Sequence, residues 1–191
     1  MRGIGEGSCL IVVDVQNDFC PDGALGVREG DQVVPVLNLW ISEFDKKGMP
    51  VVYTQDWHPE DHVSFVESGG IWPPHCVQDT RGADFHPDLI VHGEVCRKGF
   101  VSDKEAYSGF DGRVAGPDGP ALDRWLKEQE VSRIYVGGLA TDYCVKATAL
   151  DGIRNGYEVV VLKDGVRAVD VRQGDGGRAI AEMVDAGAVL E

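Results

Sequence analysis

A chain of 191 residues, 43% hydrophobic and 26% charged, has enough apolar material for one globular unit, and the balance excludes disordered and collagen-like classes. Folding at this length buries roughly 70% of the surface that the unfolded chain exposes. The 32 acidic against 18 basic residues leave a formal charge of -14, a field that repels phosphate backbones and anionic bilayers and so argues against nucleic acid and membrane partners.

The N-terminal stretch MRGIGEGSCLIVVDVQ is broken by Asp14, is too short for a membrane span and lacks the layout of a secretory signal, which reads as a cytoplasmic protein. Apolar, β-branched runs recur at CLIVVDV (9–15), PVVYTQD (50–56), RIYVGGL (133–139) and EVVVLKD (158–164), with EVCRKG (94–99) a weaker one; each is expected as a buried strand. Helical patterns lie between them. In DQVVPVLNLWISEFDKKG, residues Val33, Leu37, Trp40, Ile41 and Phe44 repeat at the helical period, Pro35 falls in the first turn, and Gly48 with Pro50 supplies the stop. A shorter stripe of Leu122, Trp125 and Leu126 follows in ALDRWLKEQ. The stretch GLATDYCVKATALDGIRNGY ends on Asn155 and Gly156, and RAIAEMVDAGAVL adds a last helix and an edge strand.

Strands alternating with helices imply right-handed βαβ units, hence an α/β fold: a three-layer α/β/α sandwich on a mainly parallel sheet, one domain over residues 1–191. Two stretches break the rhythm, at about 57–93 and 102–119, and are expected to be loop insertions that bind something.

In an open parallel sheet, ligands bind beyond the carboxyl ends of the strands. Those ends carry Asp14, Asp56 with His58 just beyond, Lys98 and, after the fourth strand, Cys144. Asp14 follows an apolar run, where an unpaired carboxylate costs several kcal/mol, so it either pairs with a cation such as Lys98 or caps a turn. The five cysteines (Cys9, Cys20, Cys76, Cys96, Cys144) are odd in number and form no C-x-x-C pair, so neither a disulfide framework nor a thiolate zinc site is suggested. Cys9 and Cys96 read as strand packing. Cys144 is expected in the first turn of a helix capped by Thr141, where free N–H groups and the helix dipole lower a thiol pKa. The stretches DWHPEDH and WPPHC bring Asp56, His58, His62 and His75 into one loop region together with His86, while His92 stands apart and reads as structural. Two imidazoles and a carboxylate suit zinc, iron or manganese with positions left open.

Five stretches, VDVQNDFCPDGAL, TQDWHPEDHVSF, WPPHCVQDTRGADFHP, KGFVSDKEAYSGF and GLATDYCVKATALDGIRNGY, together resemble the nicotinamidase/pyrazinamidase family of the isochorismatase-like cysteine hydrolases, over nearly the whole chain. The resemblance implies that family's fold and a catalytic triad of Asp14, Lys98 and Cys144. It implies a divalent metal, zinc favoured over iron or manganese, on Asp56, His58 and His75, with His62 matching an additional ligand of some relatives. It further implies that Phe19, Trp72 and Tyr107 enclose a pyridine ring, beside Tyr143, which is histidine in some relatives. The backbone N–H groups of Ala140 and Cys144 would form an oxyanion hole, reached through a cis peptide between Leu139 and Ala140. The implied activity is hydrolysis of nicotinamide, and of pyrazinamide, to the acid and ammonia through a Cys thioester, in NAD salvage. The implied partner is thus a small-molecule amide. Relatives occur as monomers and as assemblies, so a homo-oligomer stays open. Two rivals are a related cysteine hydrolase acting on an N-carbamoyl or ureido compound and a catalytically silent metal-binding module. The combined DWH and WPPHC stretches count against the first, and the three reactive strand-end residues against the second.

Overall fold

The computed structural model describes residues 3–191. The apolar runs form a seven-stranded sheet of β1 (Ser8–Val13), β2 (Val51–Asp56), β3 (Glu94–Lys98), β4 (Arg113–Val114), β5 (Arg133–Leu139), β6 (Glu158–Arg167) and β7 (Val189–Leu190). Among the described residues four α-helices accompany it: α1 (Val33–Lys46), α2 (Leu122–Glu128), α3 (Lys146–Arg154) and α4 (Asp175–Asp185). Among the described residues, no helix is long and apolar enough to cross a membrane.

The strand order is β4-β3-β2-β1-β5-β6-β7, and every neighbouring pair is parallel except β3 with β4. Central strand β1 is buried along its whole length, which is why its sequence is continuously apolar rather than alternating. Leu10 and Val12 face one core with Tyr53, Tyr135 and Leu162, closed by the Val33, Leu37, Ile41 and Phe44 stripe of α1. Cys9, Ile11 and Val13 face the other with Ile134, Val136 and Val161, closed by Leu122 and Leu126 of α2, Ala149 of α3 and Met183 of α4. The two cores sandwich the sheet, and each fully buried aliphatic or aromatic side chain in them stabilises the fold by about 1.5–3 kcal/mol.

Two elements depart from expectation. Strand β6 continues past 164 to Arg167, accommodated by a register irregularity between Val136 and Gly138 of β5. The 102–119 stretch contains the short antiparallel edge strand β4, where Cys96 pairs with Val114; two residues carry too little periodicity to be seen in sequence. The 57–93 stretch has no α-helix or strand of its own and is organised by single 3-10 turns and isolated bridges, including His58 with Val77 and Phe65 with Trp72.

From β1 the chain builds outward to β2 and β3 on one side and to β5, β6 and β7 on the other, so the topological switch lies between the carboxyl ends of β1 and β5. There Val13 is in register with Gly138, whose φ is 127° and whose added Cβ would lie 2.0 Å from the Val13 carbonyl oxygen. Only glycine permits this approach. Gly138→Ala is therefore expected to destabilise the protein by about 2 kcal/mol or more, read from the denaturant midpoint; a change within about 0.5 kcal/mol would contradict the packing described.

Candidate active site

The switch point collects the strand-end side chains. Asp14 follows β1 in a left-handed conformation (φ 46°), uncommon outside glycine but accessible to aspartate. Its backbone N–H donates to Thr54 O (3.3 Å) and Oγ1 (3.2 Å), and the Thr54 hydroxyl donates back to Asp14 Oδ1 at 2.6 Å. Oδ2 lies 2.9 Å from Lys98 Nζ, and the carboxylate also interacts with the Cys144 thiol.

Lys98 closes β3 opposite Asp56, the last residue of β2. Its ammonium, fully buried, lies against Asp14, donates to Asp56 Oδ1, and reaches Ala106 O at 3.2 Å and Cys144 Sγ at 3.4 Å. The sequence grouped Lys98 with Asp14 and Cys144; in the structure it bridges these and Asp56 as well. Cys144 Sγ, an Asp14 oxygen and an Asp56 oxygen lie within 4.8 Å of one another, with all three residues buried. The lysine ammonium shares this ring of donor atoms.

Burial dominates the electrostatics. It pushes the Asp14 carboxyl above its ordinary range, reinforced by the Asp56 charge and only partly offset by Lys98 and Thr54. Burial acts on Asp56 too, but Lys98, His58 and His75 outweigh it and hold that carboxyl low. Burial alone would weaken the Lys98 cation, whereas Asp14, Asp56 and Cys144 raise it well above the usual lysine value. The Cys144 thiol is pushed well up by burial, relieved in part by Lys98 and reinforced by Asp14 and Asp56. This corrects the expectation of a lowered Cys144 thiol, and pairing with Lys98 does not bring Asp14 down either: two carboxylates around one ammonium, all removed from water, disfavour a further negative charge. The resting thiol is neutral, and using it requires a base within reach.

The backbone around Cys144 also differs from the expected helix start. The Leu139–Ala140 peptide is cis, as the family resemblance implied, but Ala140 is extended. Residues Thr141–Val145 then form a π-helical turn with no side-chain cap, and α3 begins only at Lys146. Thr141 is therefore no N-cap: the wide turn arises because the Ala140 carbonyl accepts from both Tyr143 and Val145, each at 3.1 Å, the residues flanking Cys144.

Beside the thiol, one donor atom each from Asp56, His58 and His75 lie within 4.8 Å of one another, all in buried side chains. His58 Nδ1 bonds the Gly99 carbonyl (3.0 Å) and His75 Nδ1 the Pro73 carbonyl (2.8 Å). Both bonds fix the tautomer that leaves Nε2 bare, the usual arrangement behind a ligating histidine. His58 Nε2 and Asp56 Oδ2 are 3.6 Å apart, near the ~3.4 Å edge of a tetrahedron with zinc-like bonds of 2.0–2.2 Å. Burial and the nearby His58 and Lys98 lower His75's proton affinity despite Asp56. The donor set fits a divalent ion of the zinc, iron or manganese type. Gly99 makes it compact: at φ 65°, an added Cβ would sit 2.4 Å from His58 Cε1.

His62 is not in this group. Its ring lies 4.1 Å from that of His58, but Nδ1 is engaged with Ser64 Oγ (2.7 Å) and Nε2 with Lys104 O (3.1 Å). His86 stands away from the group, its Nδ1 accepting from Asp88 N at 3.2 Å. His92 pairs with Asp45 at 2.8 Å on the surface.

A narrow cavity of about 30 Å³ opens onto Cys144, Ala140, Asp56 and His75, well below the roughly 300–1,000 Å³ usual for ligand sites, so a ring-sized ligand enters only if its walls part. Phe19, Trp72, Tyr107 and Tyr143 all line it. Trp72 Nε1 donates to Tyr107 Oη (3.0 Å), and the Trp72 ring meets Tyr143 edge-on at 5.0 Å. Burial raises Tyr107 to about 12, so its hydroxyl stays protonated. Sequence reasoning missed Leu25 and Val169 on the same wall, Thr54 behind Asp14, and Gln16, whose amide donates to Asp56 O and accepts from Asp56 N, each at 2.8 Å. Gln16 and Thr54 were visible only as polar residues inside apolar runs. A larger hollow near Arg133 and Val189 holds no comparable cluster of reactive groups.

Residues 8–190 match the isochorismatase domain. The chain is 41% identical to the nicotinamidase of Escherichia coli K12 over 95% of its own length and 92% of that protein. It is 42% identical to the nicotinamidase/pyrazinamidase of Mycobacterium tuberculosis over 81% of this chain and 83% of the relative. The crystal structure of a Pyrococcus horikoshii pyrazinamidase in complex with zinc superposes with a TM-score of 0.88 at 46% identity, covering 97% and 98% of the two chains. With its parallel sheet and buried strand-end residues, the chain belongs to the isochorismatase-domain family and stands there with the nicotinamidases and pyrazinamidases.

Proposed function

We propose that the protein is an amidohydrolase that converts nicotinamide, and the closely similar pyrazinamide, to the corresponding acid and ammonia, with Cys144 as nucleophile and a divalent metal at Asp56, His58 and His75. The observation that carries this reading is the Asp14–Lys98–Cys144 cluster opening onto an aromatic-walled cavity that also exposes His75 and Asp56. Once the narrow cavity widens to admit it, a flat ring would have the walls of Phe19, Trp72, Tyr107 and Tyr143 to stack against, and a carboxamide on that ring would lie over Cys144. A metal bound there would anchor and orient the ring nitrogen, zinc being favoured. Aliphatic N-carbamoyl or ureido compounds would leave the aromatic walls without a partner.

Asp14, whose raised carboxyl makes it a stronger base than an ordinary aspartate, takes the Cys144 proton as sulfur bonds the amide carbon. Lys98 offsets the charge passing between the two groups. The developing oxyanion meets the backbone N–H groups of Ala140 and Cys144, each such donor being worth roughly 3 kcal/mol in comparable acyl transfers. Asp14 returns the proton to the departing nitrogen, the C–N bond breaks and ammonia leaves a thioester. Water, deprotonated by Asp14, attacks that carbon and frees the thiol and the acid. The product class, a pyridine carboxylate, fits a role in recycling nicotinamide into NAD.

Cys144→Ala is expected to lower ammonia release from nicotinamide by about 10⁴-fold or more with metal content unchanged; substantial residual turnover would remove the thiol from the reaction. In elemental analysis, His58→Ala should lose metal and His62→Ala retain it, because both His62 nitrogens already have partners; the reverse pattern would reassign the ligands. Because Asp14 must be ionised to act and its carboxyl is raised, activity should be present above that raised value and lost as pH falls through it. The acid limb of kcat/KM then lies above the ordinary ~3.9 of aspartate, with bound metal measured at each pH to separate imidazole titration; a limb at or below about 4 would be incompatible with this base.

A further inference from the structure

The connection between β6 and α4, residues 168–174, contributes Val169 to the cavity wall. Its backbone is tied to the nucleophile's own turn by one side chain. Asp142, buried and two residues before Cys144, accepts from Val169 N at one carboxylate oxygen and from Asp170 N at the other, both at 2.9 Å. Asp170 adopts a left-handed conformation (φ 54°), and its own carboxylate accepts from Gly176 N in the first turn of α4 at 2.7 Å. A chain of contacts thus runs from the turn of Cys144 through Asp142 to the Val169 segment and on to α4. Val171, two residues beyond Val169, is exposed to solvent, so the segment is held on its inner side.

We propose that Asp142 is a positioning residue that fixes Val169 as a rigid wall of the cavity, and that Val169, so held, sets which ring substituents the amide substrate can carry. The carboxylate is suited to this because it offers two parallel acceptors to two consecutive N–H groups, whereas an amide side chain would present a donor to one of them. Val169 packs with the core cluster containing Phe19 and Ala140, so the wall and the nucleophile's turn share one support. The inference rests on the amidase reading for its substrate, while the tie itself is independent of it.

The test compares kcat/KM for nicotinamide with that for a methyl-substituted nicotinamide in wild type, Asp142→Asn, Val169→Ala and the double variant. The ratio of the two values cancels any defect in the nucleophile, which acts on both amides. Asp142→Asn is expected to raise KM for nicotinamide about tenfold and to reduce discrimination against the methylated amide at least fivefold, as does Val169→Ala. The double variant should discriminate no less than Val169→Ala alone, because the two residues act through the same wall. Unchanged discrimination in Asp142→Asn, or fully additive losses in the double variant, would overturn the proposal. Should Asp142→Asn fail to fold, backbone hydrogen exchange in the wild-type protein decides: Val169 and Asp170 N–H are expected to be protected well beyond Val171, and exchange as fast as Val171 would overturn the tie. A wild-type protein that hydrolyses neither amide defeats the amidase reading, and with it the selectivity part of the proposal, but leaves the exchange measurement to judge the tie.

Discussion

A lysine ammonium removed from water and held between two aspartates is the constraint on which the rest of this site depends. Isolated in the interior, any one of these charges would cost several kcal/mol, and removing one partner of such a group typically costs about 3–5 kcal/mol. The protein meets that cost by placing Asp14 just after β1, by ending β2 and β3 at Asp56 and Lys98 on the same rim, and by adding the Thr54 hydroxyl and the Ala106 carbonyl. The same ammonium touches the Cys144 sulfur. Strand register, loop path and nucleophile position are therefore coupled through one cation.

That coupling explains the division of labour between the two aspartates. Both are buried beside Lys98, yet they are driven in opposite directions. Asp56 faces two imidazoles as well as the ammonium and remains an anion suited to a cation site. Asp14 has only the ammonium and a hydroxyl to set against burial, which suits a group that takes up and releases a proton. Chemically identical residues at neighbouring strand ends acquire different chemistry from the company they keep.

Most of this was legible in the sequence because it depends on periodicity and strand ends. The alternating strands and helices, the apolar stripe of α1, the glycine stops and the gathering of Asp14, Asp56, Lys98 and Cys144 follow from pattern and from where open parallel sheets place ligands. The family likeness added the aromatic walls and the choice among histidines. What escaped were features set by tertiary contact. The π-helical turn at Thr141–Val145 depends on one carbonyl accepting from two amides. The raised thiol and carboxyl depend on burial that exceeds the pull of Lys98. Strand β4 is too short to leave a pattern, and Leu25 and Val169 look like any other apolar loop residues until the cavity is formed.

The neutral resting state of Cys144 also bears on how the protein withstands oxidants. Peroxide and alkylating agents react with thiolates, and their selectivity follows low pKa and exposure. Cys144 offers neither, being 6% exposed with its proton retained by burial and by the flanking carboxylates. Chemistry at this sulfur therefore waits on transfer of its proton, so the partner that takes the proton governs reactivity with oxidants as it does with the amide.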